Sequence, residues 1–567
     1  MTCTRNVFVS LSVAAALCAS ASAQTITPLT VEGDAVAGVG NVTSIQNVAV
    51  NANGEWIVEV DTDNANTDID GALIKNGALH LQEGQALLAP AGALLDSFDA
   101  VGLNSTGNSG WNFFLDGTSG TSDDSGVYFD DVLLIQESSI STAAGFSPGT
   151  PYIGFFEALL NDNNQILIVA SVDDPAVAST VDRALVIAQV DGTGALLSET
   201  VFAKEGDMLP GMLDFVADFG TGPHNFDFNN SGSVLFVADG DGATTTDGNI
   251  FLDNVLLAQE GSPSPVPGRN WLSLSTSQRV ALSNTGHWVH TGQLDAPTTD
   301  DQVIIKNGAL FRQEGQSLPA IAPFVFTSFG TSAPIDIDDN GNVLWFGDWD
   351  DPDTTRDTGL FLNDTLLVQE GVTTIGGVLV QSIAAVQDAF EISPDGRWVI
   401  FEADLAGGLN GAFLIDLGVG CPTPTLYCTA KPTSIPGCLP VFTTVGTPSA
   451  SAGSGFLLQC GPVPGGQVGL FLYTTNGAAA VPLNTGFGLL CIQSGPGLTR
   501  GPGIFGGGSP GVCDGGYTMD FNQYFATQTI NPDLVAGATV DGQMWYRDPP
   551  NVGNANFSSA VGFQICP

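Results

Sequence analysis

Positive charge is scarce in this 567-residue chain: 13 Lys and Arg stand against 59 Asp and Glu, for a formal net charge of −46. Phosphate backbones and anionic lipid surfaces repel such a chain, so nucleic acid and anionic membranes are excluded as direct partners. No apolar run reaches the roughly 18 residues needed to cross a bilayer as a helix, so no transmembrane segment is expected. Cysteine is missing from residues 24–420, and only 13% of all residues are charged. The four histidines, His80, His224, His287 and His290, are too few and too scattered for a histidine-rich metal centre. His287 and His290 lie three apart on a strand and so point to opposite faces, which suits structural roles.

Catalytic strings are equally thin. No Walker, Rossmann or HExxH pattern stands in a usable context. Two G-x-S-x-G strings, around Ser147 and Ser509, each place Pro directly after the serine. That proline removes the backbone N–H a hydrolase oxyanion hole requires.

What remains points to an exported all-β protein. Arg5, the apolar stretch from Val7 to Cys18 and Ala21-Ser22-Ala23 read as a secretory signal over 1–23, with a mature start at Gln24. The expected location is extracellular or periplasmic, with cell-surface association open. Seventy-one glycines and 33 phenylalanines suit many short strands and turns. The acidity is lopsided: residues 24–420 carry 54 acidic and nine basic side chains, whereas 421–567 carry five and three. All seven cysteines outside the signal lie in 421–567. Two domains therefore meet near Cys421. In an exported protein these cysteines imply disulfides, with one left over. The short separations favour Cys428–Cys438 and Cys491–Cys513.

Residues 24–420 are repetitive. An apolar strand ends in Glu seven times, at Glu32, Glu83, Glu137, Glu205, Glu260, Glu314 and Glu370. A turn followed by an alternating strand also occurs seven times, at Gly54, Gly110, Asn164, Gly232, Gly286, Gly341 and Gly396. Both series contain a single long unit, at the same place. One unit parses as strand a within Phe324–Ile337, a turn at Asp339-Asn340-Gly341, strand b over Asn342–Gly347, an Asp-rich loop, strand c over Gly359–Leu362, a tight turn at Asn363-Asp364, and strand d over Thr365–Glu370. Four antiparallel strands per unit make a propeller blade. The chain starts with a lone strand d, Leu29–Gly33, and the last unit stops after strand c, Gly411–Ile415, so the two complete one blade and close the ring. The expected fold is a seven-bladed β-propeller over 24–420, followed by a disulfide-bearing β-sandwich-like domain over 421–567.

Ser393-Pro394-Asp395-Gly396-Arg397-Trp398-Val399 resembles the S-P-D-G-x-x-[IV] signature of TolB-like, WD40-related propellers. The repeated NG…LLxQEG pattern resembles secreted bacterial propeller proteins of uncharacterised function. Tyr427-Cys428-Thr429-Ala430 and Gln564-Ile565-Cys566-Pro567 look like the two ends of a C-terminal module of exported bacterial proteins. These resemblances imply the fold and leave the activity open.

The b–c loops collect aspartates on one face. Asp61 with Asp63, Asp239 with Asp241, and Asp348 with Asp350 have the spacing that offers oxygen ligands to Ca²⁺. The plain alternative is a solvated surface in which Asp serves its turns. For the repeated Glu the plain alternative is acceptance of backbone N–H bonds at each strand end. Trp545 and Tyr546 are candidate sugar-stacking residues or sandwich core. The expected function is non-catalytic: a monomeric binding or scaffold protein whose acidic face engages a protein or glycan, with Ca²⁺ as the candidate ion. The alternative is a carbohydrate-active hydrolase using paired carboxylates at the channel mouth.

Overall fold

The computed structural model describes residues 25–566, other than 178–181, 221, 223, 276, 419–423, 451–452, 485–487, 529–530, 532, 536–537 and 551–553. The signal expected at 1–23 and Cys421 lie outside the described residues. The chain divides into two compact units, with Ile26–Gly420 in one and Cys421–Pro567 in the other. Strands dominate both, and no helix among the described residues is long and apolar enough to cross a membrane.

Ile26–Gly420 holds, among the described residues, seven small antiparallel sheets. They are taken here in chain order of their innermost strands. Those are Gly40–Val50, Leu94–Leu103, Tyr152–Leu160, Phe226–Phe228, Val280–Leu282, Ile335–Ile337 and Phe390–Ile392. The sixth sheet follows the parse of its sequence: Val343–Trp349 pairs with Thr358–Leu362, which pairs with Thr365–Gln369. Its strand a differs from expectation. It comes in two pieces, Phe326–Ser328 and Ile335–Ile337, and both pair with Val343–Trp349. The same interruption occurs in the fourth, fifth and seventh sheets.

Turn chemistry explains the strand ends. The c–d turns place Asn76, Asp130, Asp253, Asn307 and Asn363 in the left-handed region, with φ between 47° and 53°. Asn and Asp tolerate that region because their short side chains bond locally. Each side chain accepts the N–H of the residue that starts strand b, as Asn363 does from Val343 at 3.1 Å. The a–b turns close differently. Asn229 Oδ1 accepts the N–H groups of Ser231 and Ser233, both at 3.0 Å, while its Nδ2 donates to the Ser283 carbonyl of the next sheet. Asn51 and Asn161 repeat this arrangement. The left-handed glycine of the second such turn is Gly107, φ 81°, and not Gly110, which lies within a strand. Replacing Asn229 by Ala strands two N–H groups and removes one of the two donors to the Ser283 carbonyl. It is expected to cost about 2–4 kcal/mol, read as a lowered urea midpoint; a cost under about 0.5 kcal/mol would show the turn to be held by other contacts.

Apolar residues alternate on the middle strands and meet between sheets. Trp345 and Phe361 stack at 4.6 Å, with Phe326 edge-on to Trp345 at 5.1 Å. Ala281, Val289 and Ile304 of the fifth sheet pack against this cluster. Burying an aromatic or aliphatic side chain of this size contributes about 1.5–3 kcal/mol. The first strand, Thr25–Val31, pairs with Leu409–Asp416 on the outer edge of the seventh sheet, and Glu32 N–H donates to the Asn410 carbonyl at 2.7 Å. The first and last segments of this unit thus share one sheet.

In Cys421–Pro567 the described strands form a five-stranded, a three-stranded and a two-stranded sheet. Its strands include Leu457–Val463, Val468–Thr474, Thr539–Arg547 and Ala555–Gln564. The strand Gly515–Asp520 ends at Asp520, which caps the short helix Phe521–Thr527 by accepting the Gln523 N–H. Tyr546 is buried and Trp545 packs against Leu472 and Leu490, so both are core. The disulfides are Cys428–Cys491 and Cys438–Cys513, which corrects the pairing of near neighbours. Cys566 is also disulfide-bonded, and Cys460 is free and buried. Sequence proximity misled because sheet pairing brings distant strand ends together at closer range than a ten-residue loop does.

Candidate functional site in the central cavity

The innermost strands of all seven sheets line one cavity of about 220 Å³. Its middle is set by a repeated triplet in which an acid sits between two apolar residues: Phe226-Asp227-Phe228, Ile335-Asp336-Ile337 and Phe390-Glu391-Ile392. Strand alternation buries the flanking residues between sheets and turns the acid toward the cavity. Each acid reaches the next sheet. Asp227 accepts the N–H of Leu282 (2.5 Å), Asp336 that of Ile392 (2.8 Å) and Glu391 that of Val50 (3.0 Å). Burial pushes all three upward, Asp336 to about 7. They act as buried staples between neighbouring inner strands.

The a–b turns line one end of the cavity. At the other end, where each inner strand begins, regular pairing fails in all seven sheets. The first three sheets have register shifts at Ile45/Val48, Phe98/Ala100 and Phe155/Glu157. The other four have the interruption of strand a. Bulges re-aim side chains, and the residues at or beside these breaks are Asn47, Asp99, Glu157, His224, Arg279 and Asp388, of which Glu157 still pairs with Val169. His224 Nε2 meets Asp388 Oδ1 at 3.1 Å, joining the fourth and seventh sheets. Both residues have left-handed backbones, φ 65° and 58°. Non-glycine residues hold that conformation only where their surroundings enforce it.

Glu157 is 5% exposed and lines the cavity. Burial holds its carboxyl well above the usual range, reinforced by the Asp388 and Asp99 charges; the Ala158 N–H works the other way. Burial likewise raises Asp99, against an Asn112 hydrogen bond at 2.6 Å. Behind them Glu59, bonded to Asn47 at 2.7 Å, is pushed by burial to about 8. Burial pulls the Arg279 guanidinium down while the Asp388 charge opposes it, and Arg279 Nη1 donates to the Ser277 and Gln278 carbonyls.

The aspartates singled out in the sequence lie elsewhere and serve the strands. Asp63, Asp241 and Asp350 accept the backbone N–H of Asn41, Phe215 and Val325, each fastening the start of strand a to the end of strand b. Asp61 accepts from Ser44 and Gln46, and Asp348 from Thr327. Asp239 keeps one buried oxygen without a partner, and burial beside Asp247, Asp218 and Glu260 raises it to about 7. Among the described residues no group of three or more His, Cys, Asp or Glu side chains is gathered to hold a metal ion. A Ca²⁺ at these loops would therefore have to take carbonyls and water around one or two carboxylates at a time.

The strand-ending glutamates also turn inward on their own sheets. Glu83 and Glu314 accept the N–H groups of Gly71 and Gln302, the residues at the start of strand c; Glu137 and Glu370 accept the hydroxyls of Ser125 and Thr358 at the same place. Three of the histidines are packing residues. His290 lies between Trp271 and Trp288 and is pushed by burial to about 4, His80 rests on Trp111, and His287 pairs with Asn307. His224 lines the cavity. The apolar–acid–apolar triplet ahead of three of the a–b turns was the available signal for the cavity; the residues at the strand breaks carry none.

Small antiparallel sheets whose inner strands share one cavity define the β-propeller class of protein. Residues 2–256 match a family of unknown function, DUF7453. No curated protein matches the chain. Similar solved structures include TolB from Acinetobacter baumannii, 10% identical over 66% of this chain and 78% of that one, TM-score 0.29. Trypanosoma rangeli sialidase with 2,3-difluorosialic acid is 8% identical over 96% of each chain, TM-score 0.31. An exo-β-1,3-galactanase from Phanerochaete chrysosporium is 10% identical over 84% of this chain and all of that one, TM-score 0.22. At these scores the propeller assignment rests on the sheet topology and the shared cavity.

Proposed function

We propose that this chain is an exported binding protein, with residues 24–420 as a closed seven-bladed propeller, 421–567 as a β-sandwich-like companion, and the central cavity as the ligand site. The observation that carries the reading is the convergence of Glu157, His224 and Asp388 on one end of the cavity, where the inner strand leaves regular pairing in every sheet. Concave sites with a few converging polar groups are the usual place for a small ligand. The acidic loops are left as a solvated rim around that mouth. In the alternative, Glu157 kept as a neutral acid beside Asp388 would serve a carbohydrate-active hydrolase as proton donor.

Gly102 gives a clean test. It lines the cavity, and a Cβ there meets nothing closer than the Leu160 backbone nitrogen at 3.4 Å. Gly102→Leu extends from that Cβ beside Leu160, and its melting temperature without ligand is read first to show that it folds. In a thermal-shift screen of small polar metabolites and glycans, ligands that stabilise the parent protein are expected to lose that effect in the variant. A ligand whose effect survives Gly102→Leu unchanged would move the site away from the cavity. Turnover of a neutral glycan that Glu157→Gln abolishes would decide for the hydrolase.

A further inference from the structure

We infer that the cavity takes a small primary amine, its ammonium group seated between Glu157 and Asp388; this rests on the reading of the cavity as a binding site. Besides Glu157 and His224, the titratable side chains along the cavity are Asp162, Asp227, Asp336, Asp339, Asp388 and Glu391, and among the described residues no Lys or Arg lines it. The other acids have work to do. Asp227, Asp336 and Glu391 each hold an N–H of the next sheet, Asp162 and Asp339 accept the N–H groups of Ser105 and Asn284, and Asp388 holds His224. Glu157 has no such task. Its carboxyl is bonded to the N–H of its own neighbour Ala158, and no cation pairs with it among the described residues.

A buried carboxyl without a countercharge is costly, and the group avoids that cost by remaining neutral. Such a group is held in place by the fold and is poised to ionise when a cation arrives. A primary ammonium fits best: it is a compact point charge with three donors, against the wide planar fork of a guanidinium. The volume sets the scale. About 220 Å³ leaves room for a small amine. The groups that face Glu157 and tune its ionisation are Asp388, Asp99 and His224, with Glu59 and Arg279 in the layer behind.

Isothermal calorimetry on the protein starting at Gln24 tests this at about pH 7. The probes are ethanolamine, putrescine and glucosamine, with N-acetylglucosamine and glucose as uncharged counterparts, each in phosphate and in HEPES. The expected result is that at least one amine binds, at least tenfold tighter than its uncharged counterpart where one exists. The heat should differ between buffers because Glu157 releases a proton on binding. Glu157→Gln should weaken binding at least tenfold and abolish the buffer dependence. Asp388→Asn is the second variant, with the same expected loss of affinity. Equal binding of glucosamine and N-acetylglucosamine would overturn the amine and leave the cavity standing as a site. So would a buffer dependence unchanged in Glu157→Gln. No binding by any of the three amines overturns the amine outright, and the Gly102→Leu screen then judges the cavity independently.

Discussion

Raising the pH from about 5 to about 8 is expected to lower the melting temperature of Ile26–Gly420 by about 5 °C or more. Most proteins rich in carboxylates behave in the opposite sense, because paired carboxylates favour the ionised folded state. Here burial dominates. It pushes Glu59 to about 8 and Glu83, Glu137, Glu205, Glu314, Glu402, Asp239 and Asp336 to about 7. In the unfolded chain these groups titrate near 4.5 for Glu and 3.8 for Asp. Below the unfolded values both states are protonated and the contribution is fully present. As pH rises through the folded values the buried carboxyls must ionise or expel themselves, and the contribution is lost. The window is therefore from about 4.5 to about 8.

Groups whose values are lowered act in the other direction. Asp174 is brought to about 2 as its Lys204 pair outweighs burial, and its stabilisation fails only far below the window. His290 is held near 4 by burial and destabilises as pH falls below its ordinary 6.5, and burial lowers His80 in the same sense. Two histidines oppose eight carboxyls. Several of the eight are part-exposed, so solvent screening reduces each contribution; at about 0.5 kcal/mol apiece they still sum to about 4 kcal/mol. Calorimetric scans across the window check the sign, and Glu59→Gln should flatten the slope. A melting temperature that holds or climbs up to pH 8 would show that these carboxyls ionise freely in the folded protein.

Deleting residues 25–33 is expected to abolish cooperative folding of the same unit. The lost strand, Thr25–Val31, covers Leu409–Asp416, whose Ala412, Phe413 and Ile415 are fully buried. Ile26 and Val31 pack into the core of the seventh sheet. Asn410 also binds the first sheet, accepting the Ile45 N–H at 2.7 Å. Removing the strand thus opens an apolar edge with unpaired backbone groups at the one place where the two ends of the repeat array meet, the condition that invites aggregation. Size-exclusion chromatography should show loss of the monomer, and a peptide of residues 24–35 supplied in trans should restore part of it. A deletion variant that melts within about 2 °C of the parent, a change of under roughly 1 kcal/mol for a unit of this size, would show that closure is carried by the inner strands alone.

Much of this architecture was legible because it is written in local chemistry. Asn363, Asn307 and Asp253 mark c–d turns through a conformation few other residues accept. Glu83 and Glu314 recur because each sheet presents the same N–H at the start of strand c. Both signatures recur along the chain for the same reason: a turn or a strand end is decided within a few residues of itself. Gly107 shows the margin of error, since two glycines three apart compete for one turn and only the pairing register separates them.

The site was not legible in the same way. The Asp-rich loops drew attention by composition, yet Asp63, Asp241 and Asp350 prove to be backbone fasteners. His224 and Asp388 are 164 residues apart and share no motif. They meet because the fourth and seventh inner strands border one cavity and because both strands break at the same level. Strands, turns and the repeat could be read from the residues alone, since they depend on alternation, φ preference and hydrogen bonds between near neighbours. The disulfide partners, the upward shift of the Glu157 carboxyl and the His224–Asp388 contact arise only in the folded chain. Each depends on which distant groups burial brings together and on how much water it removes from between them.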